Sequence, residues 1–201
     1  PAIIQGWYPG AQGGKAIARL IFGEANFEGR LPVTFYRTTE ELPDFRNYSM
    51  QNRTYRYMKQ EPLYPFGYGL SYTTFTYQNA GLSKSKLDRE GITIFADVIN
   101  AGKMDGRETV QVYIKAPVTG SPNRQLKGIC KVFLKVGETK HVEIPLPIQA
   151  FSLYDEEGMR RVAKGKFRIS IGGSQPESRS EMLMDKKVTV LIIENDEAFN
   201  L

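Results

Sequence analysis

His141 is the sole imidazole and Cys130 the sole thiol among 201 residues. His141 is therefore the one side chain with an unperturbed pKa suited to proton transfer near neutrality. It stands between Lys140 and Val142, on the polar side of an alternating run, with no second histidine and no adjacent nucleophile. A catalytic triad is not built from that, and an exposed surface residue is expected. Cys130 falls on the apolar face of its run and is expected to be a buried, inert thiol. Together they fall short of the four N/S ligands, or three plus water, that zinc takes, so no metal site is expected. Carboxylates cluster as Glu40-Glu41, Asp155-Glu156-Glu157 and Glu194 to Glu197. Glycoside hydrolysis needs two carboxyls about 5–10 Å apart across one bond, one of them with a raised pKa. Acids in turns and tails are solvated and do not meet that need. The run Gly10-Ala11-Gln12-Gly13-Gly14-Lys15-Ala16 fails the phosphate-loop template, which requires Gly where Pro9 stands and Ser or Thr where Ala16 stands. No cofactor is expected.

The strongest anomaly is aromatic. Seven of the 11 tyrosines lie between Tyr48 and Tyr77, joined by Phe66 and Phe75 and interleaved with Arg53, Arg56 and Lys59. Tyrosine and arginine with few aliphatics are interface chemistry: flat apolar area, a polar tip and a planar donor. Two uses suit Arg53, Tyr55, Arg56, Tyr57, Tyr64 and Tyr68: contacts in an ordered strap between domains, or a platform for sugar rings. Pro62, Pro65, Gly67 and Gly69 shape the segment as a fixed loop, which favours the strap.

The elements that would position these residues fall into two regimes. Residues 1–72 are rich in Gly, Pro and aromatics. There, Lys15 to Phe22 puts Ile17, Leu20 and Ile21 on one helical face, and Gly23 stops the helix. Leu31 to Phe35 reads as a short extended segment, with Pro32 marking a strand start or edge. From Tyr36 to Pro62 no period holds, and the stretch is expected to wrap over another surface. The second regime alternates. Ile92, Ile94, Ala96 and Val98 form one face, as do Val110, Val112 and Ile114; Cys130, Val132, Leu134 and Val136; Val142, Ile144 and Leu146; and Phe167, Ile169 and Ile171. Period two means one face buried and one wet. Turn signals such as Asn100-Ala101-Gly102 and Gly120-Ser121-Pro122 separate the runs. Several antiparallel strands in about a hundred residues predict a β-sandwich. Val188 to Ile193 reads as a further edge strand or a segment packed elsewhere.

Composition excludes other classes. The net charge is +5, but Lys and Arg are spread among 22 acids, so no nucleic-acid partner is expected. No stretch approaches the roughly 18–20 apolar residues of a membrane-spanning helix.

The motifs Trp7-Tyr8-Pro9-Gly10, Leu20-Ile21-Phe22-Gly23 and Gly29-Arg30-Leu31-Pro32-Val33-Thr34-Phe35 resemble the end of the α/β-sandwich domain of glycoside hydrolase family 3. Arg53-Thr54-Tyr55-Arg56-Tyr57 and the run Pro62 to Tyr72 are similar to that family's linker. Asn100-Ala101-Gly102, Val110-Gln111-Val112-Tyr113, Gln125-Leu126-Lys127-Gly128 and Gly165-Lys166-Phe167 resemble its fibronectin type III-like domain. The resemblance departs at Phe27-Glu28 and at Ala163-Lys164-Gly165, and residues 176–201 match no motif of the family.

The expected fold is thus mainly β: an antiparallel fibronectin type III-like sandwich, preceded by a partial α/β segment and a long aromatic linker. The expected divisions are 1–46 for the α/β end, 47–74 for the linker, 75–175 for the sandwich and 176–201 for a tail. The family hydrolyses terminal β-linked sugars with retention, as in β-glucosidases and β-xylosidases. Its Asp nucleophile lies in a (β/α)8 barrel, and its Glu acid/base precedes the Trp-Tyr-Pro-Gly motif. The resemblance therefore implies that no catalytic or sugar-binding residue of the family falls at a nameable position here, and that the chain alone is inactive. It further implies upstream catalytic domains of the same polypeptide as the partner, with carbohydrate as a further candidate, and a secreted or periplasmic setting. A free-standing carbohydrate-binding module or a general interaction domain is the alternative.

Overall fold

The structure, a computed structural model, describes residues 2–201. Its centre is a sandwich of two antiparallel sheets. One sheet holds β1 (Phe75–Leu82), β2 (Ile92–Asn100) and β5 (Thr139–Leu146) in the order β1-β2-β5. The other holds β3 (Gly106–Lys115), β4 (Gln125–Leu134), β8 (Gly165–Gly172) and β9 (Thr189–Asn195) in the order β4-β3-β8-β9. A small ribbon of β6 (Ser152–Tyr154), β7 (Arg160–Val162) and β10 (Phe199–Asn200) completes the strands.

The period-two pattern explains the core. Along β2, buried and half-buried positions alternate from Ile92 to Asn100 without interruption. Ile94, Val98, Val112, Ile114, Leu134, Val142, Ile144, Phe167 and Ile169 are all buried in one apolar cluster, as their shared phase requires. Val132 and Cys130 are only half-buried against that cluster. Both sit on β4, an edge of its sheet, where no further strand covers them. Of the run Val188 to Ile193, all but Val188 lies in β9, the other edge, in register with β8 through Phe167↔Ile193 and Ile169↔Leu191. Pro145 is tolerated in β5 because that strand is also an edge.

One strand breaks the wet-face expectation. On β3, Thr109, Gln111 and Tyr113 point away from the core, yet all are buried. The preceding segment lies over them. Residues 31–35, expected as an extended strand, form a single bridge, Phe35↔Tyr64. Four backbone hydrogen bonds nonetheless tie them antiparallel to residues 63–68: Leu31 and Gly67 donate to Tyr68 and Leu31, and Phe35 and Leu63 donate to Tyr64 and Phe35, at 2.7–2.9 Å. Pro32 has no N–H to extend that ladder.

Three helices are short: α1 (Gly13–Ile21), α2 (Thr54–Tyr57) and α3 (Ser178–Met184). Helix α1 begins two residues before the expected Lys15. None of its residues is buried, and Ile21 and Phe22 are 56% and 80% exposed. Among the described residues, no helix is long and apolar enough to cross a membrane.

Candidate functional site: where the strap meets the sandwich

The first contact is ionic. Arg30 reaches into the end of the sandwich, where its Nη2 donates to Glu108 Oε2 at 2.7 Å. Glu108 shares the phase of Val110, Val112 and Ile114, so β3 points its carboxylate inward. From β1, the Tyr77 hydroxyl donates to the other oxygen, Oε1, at 2.9 Å. Arg30 Nε donates to the Gly173 carbonyl at 3.3 Å. Glycine at 173 leaves room for this carboxylate: a Cβ there would press on Glu108 Oε1 and force it to shift. Burial pushes the Glu108 carboxyl above its ordinary value, and the Arg30 guanidinium pulls it back. Burial, then the Glu108 charge, raise the Tyr77 phenol well above its ordinary value. A cavity of about 110 Å³ opens beside this cluster, lined also by Thr73, Met184 and Lys186. A raised carboxyl in a cavity suits a general acid, but Glu108 is the only carboxylate lining it. Retaining hydrolysis needs a second at about 5–5.5 Å.

The second contact is aromatic and amide. Gly67 has φ +78°, a left-handed conformation open to glycine, and a Cβ there would run into the Gln111 carboxamide and the Tyr113 hydroxyl. That close approach lets Gln111 Nε2 donate to the Gly67 carbonyl at 3.0 Å and to the Gly173 carbonyl at 2.9 Å. Tyr113 donates its hydroxyl to Gln111 Oε1 at 2.6 Å. The Tyr55 and Phe66 rings stack with centroids 4.2 Å apart, and both stand edge-on to Tyr113 at 6.1 and 6.5 Å. The Tyr55 hydroxyl accepts the Leu126 amide at 3.0 Å.

The remaining residues singled out from sequence divide between joint and loop. Arg56 Nη2 donates to Gln125 Oε1 at 2.9 Å, and its guanidinium lies 5.6 Å from the centre of the Tyr57 ring. Tyr64 and Tyr68 stack at 5.8 Å, with Phe35 edge-on to Tyr64. Burial raises the Tyr68 phenol. Arg53 is not at the joint: it donates to the carbonyls of Asp44, Asn47 and Ser49, closing its own loop. His141 is half-exposed and pairs with Asp97 at 2.7 Å. Sequence reasoning left Glu108 and Gln111 without a role. The phase of Glu108 with three core residues was the available signal. Gln111 carried none, because its cover comes from a segment with no period.

Comparison with known proteins now settles the relationship. Residues 1–72 match the glycosyl hydrolase family 3 C-terminal domain, and residues 108–175 match a fibronectin type III-like domain. The first of these matches places residues 1–72 in glycosyl hydrolase family 3. It is 38% identical to a periplasmic β-glucosidase of Salmonella typhimurium, over 85% of this chain and 24% of that protein. It is 39% identical to a xylan 1,4-β-xylosidase of Xylanibacter ruminicola, over 86% of this chain and 20% of that protein. β-Glucosidase 3B from Thermotoga neapolitana superposes with a TM-score of 0.83 at 29% identity, covering 97% of this chain and 28% of that one. The chain thus spans about a quarter of such relatives, and corresponds to their C-terminal part.

Proposed function

We propose that this chain is the non-catalytic part of a retaining β-glycosidase that releases terminal β-linked glucose or xylose, and that it braces the catalytic domains of the same polypeptide. The observation that carries this is the unpartnered apolar surface at its start. Trp7, Tyr8, Ile21 and Phe22 are at least half exposed, and α1 buries nothing. An amphipathic helix with an uncovered apolar face is one element of a larger layer. Arg30 joins that layer directly to the sandwich through Glu108, and the strap adds the Gly67–Gln111 contact. Stacking of Tyr55 on Phe66 and of Tyr64 on Tyr68 turns ring faces toward each other, which supports a strap over a sugar platform. The Salmonella β-glucosidase and the Xylanibacter β-xylosidase support glucose and xylose as the sugars, and the periplasmic Salmonella relative supports a periplasmic or secreted setting.

The test is complementation. A longer polypeptide of this family, cut before the position matching residue 2, should lose activity and regain it on addition of this chain. Full activity of the truncated polypeptide without the chain would remove the bracing role.

A further inference from the structure

We propose that the outer face of β8, at the opening of the β3–β4 loop, is a binding site for an oxyanion: a phosphate or carboxylate group, free or carried on a small saccharide. The site uses only this chain's own residues and stands apart from the glycosidase assignment. Its floor is read from the register. Tyr113, Ser170 and Val190 form one row across β3, β8 and β9, and Lys115, Arg168 and Ile192 form the next. Phe167 and Ile169 point into the core, so Arg168 and Ser170 point out. Asn123 and Arg124, from the loop before β4, build the wall. The recess is open to solvent and measures about 300 Å³.

Three cations converge there. Lys115 and Arg168 are direct register partners on adjacent strands, a placement in which like charges destabilise a ladder. Arg124 lines the same recess. Among the described residues, no carboxylate lies within ion-pair distance of any of the three and none lines the recess, although Glu177 and Glu181 act on Arg124 from further off. Two of the cations are fixed in place. Lys115 Nζ donates to the Pro122 carbonyl at 2.9 Å and to Ser121, and Arg124 donates to the Pro176 carbonyl. Burial and mutual repulsion push the Lys115 ammonium down from its ordinary value, the same repulsion that an anion would relieve. The exposed Arg168 side chain lines the recess and has no side-chain hydrogen-bond partner among the described residues, so its planar donor fork is free. Such a fork matches the two oxygens of a carboxylate or phosphate. The buried Ser170 beside it adds a hydroxyl.

The experiment is calorimetric titration of the chain at low salt with inorganic phosphate, glucose 6-phosphate, glucuronate and glucose. Charged ligands should bind with Kd of about millimolar strength, weakening as salt is added. Arg168→Gln, an exposed change, should leave the melting temperature in place and weaken binding about tenfold or more. Arg124→Met serves as a second variant with the same expected loss. Lys131→Gln, on the far edge strand β4, should bind like the wild type. Tighter binding of the charged sugars than of phosphate assigns a saccharide ligand, and equal binding assigns the bare oxyanion; both uphold the site. Absence of binding by the wild type, binding unchanged in Arg168→Gln and Arg124→Met, or glucose binding as tightly as the charged ligands would overturn it.

Discussion

Arg30 and Glu108, 78 residues apart, meet in a 2.7 Å ion pair whose side chains are 7% and 3% exposed. One belongs to the segment matched by the family's C-terminal domain and the other opens the fibronectin type III-like match. Such a pair gives little net stability over an apolar substitute, but losing one partner strands a buried charge. What it supplies is register: it fits only when Arg30 enters the sandwich beside Gly173 and Tyr77.

Arg30→Met should therefore cost about 3–5 kcal/mol near neutral pH. Its cost should also depend on pH. Burial already raises Glu108 above 4.5, and Arg30 is the largest influence opposing that rise. Without Arg30 the folded-state value climbs further. Between the unfolded and the raised folded value the native state binds more protons, so stability falls as pH rises through that window. Urea denaturation should show the variant closest to wild type in mild acid and furthest from it at neutral pH. A deficit that is constant with pH would show that Glu108 does not respond to Arg30.

Gly67→Ala should loosen the strap. The position combines φ +78° with contact against Gln111 and Tyr113, so an added methyl is strained in both respects. The expected loss is about 1–3 kcal/mol. Hydrogen exchange should locate it, with faster exchange at the Leu31, Phe35, Leu63 and Gly67 amides and little change within β2 and β5.

Val112→Asp and Ile144→Asp test the register of the core. Both side chains lie in the apolar cluster, and an unpaired carboxylate there should cost several kcal/mol, on the order of the largest single-site effects. Thermal denaturation checks this. An unchanged melting temperature in either variant would mean that the residue does not face the core.

Amide exchange across the whole chain should be uneven. Residues 2–22 bury almost nothing and should exchange fast, while 92–114 and 139–146 should be the slowest. Uniform protection would show that the start of the chain is held by contacts of its own or by a second copy.

The sandwich was legible because alternation maps directly onto buried faces. Ile92 to Val98 could be assigned by inspection, and so could the phase that carries Glu108 inward. The joint was less legible, for a physical reason. Its seat is the outward face of β3, where Thr109, Gln111 and Tyr113 read as solvent-facing, and only a non-local segment makes them buried. The tyrosine-rich strap announced an interface by composition, but composition does not say which surface it meets. Arg53 shows the limit: it shares the spacing of Arg56, yet it closes its own loop instead of reaching Gln125.

The most direct test of the account is hydrolysis of aryl β-glucoside and β-xyloside by the purified chain, run beside a longer polypeptide of the family. Among the described residues the one deeply buried carboxylate, Glu108, is held by Arg30 and Tyr77 with no second acid lining its cavity. The oxocarbenium-like route needs two. The longer polypeptide should turn over both substrates and the chain neither. Turnover by the chain that survives repurification, and that a single carboxylate substitution within residues 2–201 abolishes, would contradict it.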